Sequence, residues 1–387
     1  MINLKKIIYQ RALTIILCIF VLTSCQSDDI PGNQTTSDQQ KPAIVKIAAF
    51  GDTMLHSPQI KSGMKPNGEY QFDQFFTEVK PYLQSADLTI GNLETTLAGK
   101  EKGFKGYPQF NAPDQIVDAL INCGVDLMST ANNHAMDTGE QGVKRTYKVL
   151  TEKGIHPVGT APTPDKRKPT IVKKNGITFA FLAYTEHTNG LPIPPGKEHL
   201  INKIDSKQIA EDIKESKQLG AEFVIVSLHF GMEYQRQPNQ TQIKVAKQAL
   251  QDGADVILGS HPHVIQPIEK VNIQGKEKLI IYSLGNFISN QFFPYTDEGI
   301  ILYFDVEKDP NTNQVSLKDV SYLPTFVHKY KKAEKNKYVI IPMENSQPTK
   351  SFSYPNFSVS KWKKAWTNTV SLIKAKETIP TFSLQNN

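Results

Sequence analysis

Asp52, Glu94, Asn133, His134, His229, His261 and His263 are the residues best placed to carry chemistry, because each follows an apolar run where a strand would stop. Ile47-Ala48-Ala49-Phe50 leads into Gly51-Asp52, Leu88-Thr89-Ile90 into Gly91-Asn92-Leu93-Glu94, and Asp126 to Thr130 into Ala131-Asn132-Asn133-His134. Phe223 to Leu228 ends at His229, and Val256-Ile257-Leu258 ends at Gly259-Ser260-His261-Pro262-His263. In α/β proteins the loops beyond the carboxyl ends of strands converge, so groups delivered there meet. Taken singly, Asp52 reads as a turn or cap, Glu94 as a solvated charge and His229 as a core imidazole. Their shared position favours a common site. Carboxylates mixed with imidazoles suit Zn, Mn or Fe better than Ca. The donors suffice for two divalent ions, and a pair about 3.5 to 4 Å apart would clamp a phosphoryl-like oxygen. A metal-dependent hydrolase centre is the expectation.

The elements that must hold these groups are short apolar runs alternating with amphipathic stretches, the pattern of an α/β domain. Strands are expected at 44–50, 88–90, 125–130, 179–184, 223–228, 256–258, 279–284 and 300–304, and helices at 72–83, 114–123, 139–153, 206–219 and 241–251. Gly124, Gly154, Gly220 and Gly253 follow four of the helices as C-terminal caps. The domain is expected over 43–330. Residues 331–387 read as a solvated, Lys-rich appendage, the charge run 329–337 being its densest part, with Trp362 and Trp366 able to dock a terminal helix.

The chain has 387 residues, 39% hydrophobic and 21% charged, an ordinary globular composition. Its formal charge of +6 falls to +3 without the three early cations Lys5, Lys6 and Arg11, too mild a balance for nucleic acid. Those cations precede the apolar run 12–22 and Thr23-Ser24-Cys25, the layout of a secretory signal over 1–24. The run falls short of the roughly 20 residues of a spanning helix. Residues 25–42 are polar enough to serve as a flexible tether. Cys123 sits on an apolar helical face as a core residue, so no disulfide framework is expected.

Leu22-Thr23-Ser24-Cys25 resembles a bacterial lipobox, which implies diacylglyceryl attachment at Cys25 and a domain tethered to the extracytoplasmic face of the cell membrane. Gly51-Asp52-Thr53-Met54, Gly91-Asn92-Leu93-Glu94, Ser129 to Asp137, Gly259 to His263 and Tyr282 to Phe287 together resemble the CapA family of poly-γ-glutamate capsule synthesis proteins, which is metallophosphoesterase-like. The resemblance covers about Ile44 to Phe304 and implies a metallophosphatase-like αββα sandwich. It implies Asp52 and His263 on one metal, Asn133, His229 and His261 on the other, Glu94 between them, and His134 as general acid or phosphoryl contact. Asp137 either orients His134 or caps the next helix; Asn286 either contacts substrate or ties loops together. This sequence departs from the wider phosphoesterase pattern at Met54, where an imidazole is usual and which His56 cannot be assumed to replace, and at Asn92, where a carboxylate is usual. One metal, or two of unequal affinity, are both compatible. The implied function is polyglutamate synthesis or export with a phosphoesterase-like centre acting on an anionic polymer or phosphoester. The competing readings are a non-catalytic subunit of a membrane polyglutamate synthase complex and a general surface phosphodiesterase.

Overall fold

The computed structural model describes residues 41–348 and 350–384; the expected signal segment, Cys25 and the tether through residue 40 lie outside them. Among the described residues the chain builds two sheets, one eight-stranded and one six-stranded. It begins in the first with β1 (Ala43–Thr53), β2 (Leu88–Leu93), β3 (Leu127–Ser129) and β4 (His156–Val158). It then forms the whole second sheet from β5 (Thr170–Lys174), β6 (Ile177–Thr185), β7 (Phe223–His229), β8 (Val256–Ser260), β9 (Ile268–Ile273) and β10 (Lys276–Ile281). It returns to the first with β11 (Asn286–Ile288), β12 (Glu298–Lys308), β13 (Val315–Lys332) and β14 (Lys335–Pro342). The strand orders are β14-β13-β12-β1-β2-β3-β4, with β11 also on β1, and β5-β6-β7-β8-β10-β9. Helices α1 (Ser57–Gly63), α2 (Lys80–Leu83), α3 (Gln115–Asn122), α4 (Gly139–Glu152), α5 (Ser206–Gln218), α6 (Gln240–Asp252) and α7 (Val359–Lys374) complete it.

The period of two along each central strand builds the layers. Val45, Ile47 and Ala49 of β1 face Phe179, Ile225 and Val256 of the second sheet in one buried cluster. Ala48 and Phe50 turn outward onto Ile116, Val117 and Leu120 of α3. Likewise Phe223 and Ile225 point inward, while Val224, Val226 and Leu228 pack on Ile209 and Ile213 of α5 and Ala249 and Leu250 of α6. The result is helix, sheet, sheet, helix, the αββα sandwich. Strands buried on both faces explain the unbroken apolar runs. The four capping glycines take the left-handed conformation their positions require, with φ from 86 to 116°.

Two expectations need correction. The stretch 72–83 is not one helix but a 3₁₀ turn at Asp73–Phe75 followed by the single-turn α2. Pro81 in the first turn of α2 supplies no amide to bond backward, and Phe72, Phe75, Phe76, Val79 and Leu83 are buried without a continuous helix. The second concerns the expected solvated appendage at 331–387: its described residues, through 384, belong to one compact unit with the rest of the described chain from Lys41 onward. The charge run 329–337 belongs to a hairpin in which Lys332 pairs with Lys335 across Ala333-Glu334, both left-handed at φ 48° and 59°. That is the geometry of a two-residue hairpin turn built without the usual Asn-Gly signal. Exposed Lys329 follows the buried stretch that ends at Val327 and His328, and Trp362 of α7 seals Phe326, Val339 and Ile341. Trp366 packs at the edge of that cluster.

Candidate metal centre

The carboxyl ends of the two sheets' parallel strands meet at one place. In the first sheet Asp52 stands in register between Asn92 of β2 and Asn286 of β11. Gly51 makes this possible: a Cβ there would lie 1.8 Å from the carbonyl oxygen of Gly285, whose turn brings Asn286 alongside. Glu94 follows β2 immediately, its amide donating to the Thr53 carbonyl at 3.0 Å. In the second sheet His229 is in register with Ser260. His261 and His263 beyond it take φ 97° and 58°. Left-handed backbone at non-glycine residues costs about 1–3 kcal/mol each and persists where surroundings enforce it, often at functional sites. Here the amide of Tyr234 donates to the Pro262 carbonyl at 2.8 Å and pins the turn.

Two ligand triads result, Asp52–Glu94–His263 and Glu94–His229–His261, both buried and both using Glu94. His263 Nδ1 lies 3.0 Å from Asp52 Oδ2 and 3.2 Å from Asn286 Oδ1. Its Nε2 faces Glu94 Oε1 at 3.6 Å. His229 Nε2 faces the same Glu94 oxygen at 3.7 Å and Asn133 Oδ1 at 2.9 Å. Ser260 Oγ, 2.9 Å from His229 Nδ1, holds the far side of that ring. Glu94 Oε1 and His261 Nδ1 are buried with no hydrogen-bond partner.

Such orphaned atoms are costly in a folded interior unless something compensates them. Burial, then the neighbouring Asp52, pushes the Glu94 carboxyl well above its usual range. Burial, then His261 and His263, pushes His229 well below the ordinary histidine value, and burial with His263 does the same to His261. Neutral imidazoles, His261 with an unpartnered nitrogen, around an uncompensated carboxylate oxygen form a set that a divalent cation completes, so these residues fit a divalent metal.

The remaining expected residues lie around this cluster. His134 Nδ1 is 2.7 Å from Asp137 Oδ2, which also accepts from the Phe110 amide at 2.6 Å. Asp137 therefore abuts the imidazole, while the N-cap position of α4 is Thr138. Asn286 is buried, and its amide nitrogen donates to Gln291 Oε1 and the Thr296 carbonyl, each at 2.8 Å. Met54 is buried. His56 stands outside the triads, its Nδ1 accepting from the Asn290 amide at 3.3 Å and burial lowering its pKa to about 4. Asn92 donates to Asp52 Oδ1 at 2.8 Å and lies 3.3 Å from Glu94 Oε2. Sequence reasoning missed Ser260, Asn189, whose Oδ1 is 3.2 Å from Asn133 Nδ2, and His187, edge-on to His261 at 5.1 Å. Ser260 adjoins the His-Pro-His string, so its strand-end position was an available signal; Asn189 and His187 sit in a loop with none.

The family model "Bacterial capsule synthesis protein PGA_cap" matches residues 46–291. The chain is similar to capsule biosynthesis protein CapA of Bacillus anthracis, 31% identical over 246 residues, covering 61% of this chain and 58% of that protein's length. It is also similar to PGA biosynthesis protein CapA of Bacillus subtilis (strain 168), 30% identical over 280 residues and covering 70% and 72% of the two chains. Among solved structures, NAD nucleotidase NadN of Haemophilus influenzae aligns at TM-score 0.47 with 13% identity, over 88% of this chain and 64% of that one. The calcineurin-like phosphoesterase YfkN of Bacillus subtilis aligns at 0.43 with 14% identity, over 86% and 100%.

Proposed function

Since the chain belongs to the bacterial capsule synthesis protein family, we propose that it is a metal-dependent, phosphoesterase-like hydrolase acting in poly-γ-glutamate capsule synthesis or export. Its place is the outer face of the cell membrane, where diacylglyceryl attached at Cys25 would anchor it beside a membrane polyglutamate synthase. The observation that carries the hydrolase reading is Glu94, shared by both triads with one oxygen buried and unpartnered. Divalent ions held there supply Lewis-acid charge and water activation. Asp52 and His263 would hold one ion, Asn133, His229 and His261 the other, and Glu94 both. Ser260 and Asn286 keep the ligating imidazoles aimed, as such outer partners do. His134, its Nδ1 proton held by Asp137, keeps Nε2 free to contact a phosphoryl oxygen or pass a proton to the leaving oxygen.

A non-catalytic synthase subunit is the second reading, and Asn92 favours it. Its neutral amide donates into Asp52 where another carboxylate would strengthen the site.

Metal analysis of the purified chain, with hydrolysis of generic phosphoesters by wild type, His134→Ala and His263→Ala, separates the two. Stoichiometric metal with activity lost in both variants supports the hydrolase; no metal, or activity indifferent to both changes, leaves the accessory role. Deleting the gene should abolish surface polyglutamate. Cys25→Ala should release the protein from membranes, and unchanged retention would refute the lipid anchor.

A further inference from the structure

A cavity of about 560 Å³ opens between the 289–297 loop, strands β13 and β14, and helix α7. That volume lies within the range of ligand pockets, about 300–1,000 Å³. The loop forming its wall is tied to the metal centre, because Asn286 bonds Gln291 and Thr296 on one side while its Oδ1 lies beside His263 on the other.

The lining has three chemistries. Lys329, Lys361 and Lys364 bring ammonium groups. Lys361 pairs with Asp297 at 2.8 Å, and Lys364 is exposed. Asn290, Gln291 and Asn368 bring carboxamides. Phe292, 86% exposed, and Phe293, packed against Tyr234, bring apolar surface. Glu298 is buried, with Oε1 accepting from Asn368 at 2.6 Å and Oε2 unpartnered. Burial pushes its carboxyl up to about 7, so near neutrality a large share of it is uncharged and does not repel an anion.

We propose that this cavity binds a segment of an anionic polyamide, carboxylates at Lys361 and Lys364, amides at Asn290 and Asn368, methylenes against Phe292 and Phe293. Resting on the capsule reading above, the ligand is γ-linked polyglutamate, whose repeat carries a carboxylate, an amide and methylenes. The cavity is thus a polymer-holding site beside the metal centre, distinct from the metal ligands.

Calorimetric titration of the full chain with a short γ-linked glutamate oligomer tests it. Wild type should bind. Lys364→Glu, which breaks no ion pair in this structure, should weaken binding, and Lys361→Glu/Lys364→Glu should weaken it by about tenfold or more. Metal content should be unchanged in both, and melting temperature unchanged in Lys364→Glu, which keeps the Lys361–Asp297 pair. No binding by wild type, or equal binding by the double variant, overturns the proposal. Oligomer binding by a chain that lacks metal and hydrolysis supports the cavity while sinking the hydrolase. Metal and hydrolysis without oligomer binding do the reverse.

Discussion

The two halves of the candidate metal centre share Glu94 but differ in how far the protein satisfies them itself. On the Asp52 side both carboxylate oxygens are engaged, by Asn92 at 2.8 Å and His263 at 3.0 Å, and His263 Nδ1 also meets Asn286. On the His261 side, His261 Nδ1 has no partner and His229 Nε2 faces two oxygen acceptors. One half is bonded throughout; the other leaves His261 Nδ1 without a hydrogen-bond partner and so open to a cation. The difference teaches that ligand identity alone does not rank two sites, because a donor already in a hydrogen bond must give it up to bind metal. Tighter binding is expected at Glu94, Asn133, His229 and His261.

Glu94→Gln should abolish the comparison by weakening both halves. Bound metal falls toward zero by elemental analysis and phosphoester hydrolysis drops by about 10²–10³-fold. The metal-free fold should survive, since a neutral amide replaces a carboxyl that burial already disfavours as an anion. His261→Ala and Asp52→Asn should then separate the halves. The first removes the tighter equivalent and the second spares it; equal loss in both variants would refute the asymmetry. Asn92→Asp should narrow the gap by tightening the weaker equivalent about tenfold, read by competition with a chelator, through an added carboxylate ligand. Ser260→Ala should loosen only the tighter site, at the lower end of the about 10- to 100-fold range seen for outer-sphere partners.

Acidity should act most on the open half. Burial holds His229 and His261 below their ordinary value of 6.5, so the unfolded chain binds more protons than the folded one below that value. Metal-free protein should therefore lose stability as pH falls through about 6.5 and regain it as pH rises. His261→Ala should flatten that dependence in thermal melts, and an unchanged profile would count against it.

Much of the centre was readable in the sequence because Asp52, Glu94, Asn133, His229, His261 and His263 each mark the end of an apolar run. The β13–β14 hairpin was not, since its Ala333-Glu334 turn lacks the residues that usually announce one and the lysines at its turn end obscure the buried stretches on either side. Ser260 was passed over because its pairing with His229 depends on which strand lies beside β7. The 72–83 stretch misled because aromatic burial imitates helical spacing.

By itself, the sequence determined which polar groups follow the central strands, where four of the helices stop and which of their faces are apolar, because periods of two and about 3.6 and capping preferences act over a few neighbours. Only the tertiary structure decided that Asp52 lies between Asn92 and Asn286, that His229 lies beside Ser260, and that Glu94 serves both triads. Those contacts join residues as far apart as Asp52 and His263. They depend on strand order and on the packing of one sheet against the other, which no local pattern encodes.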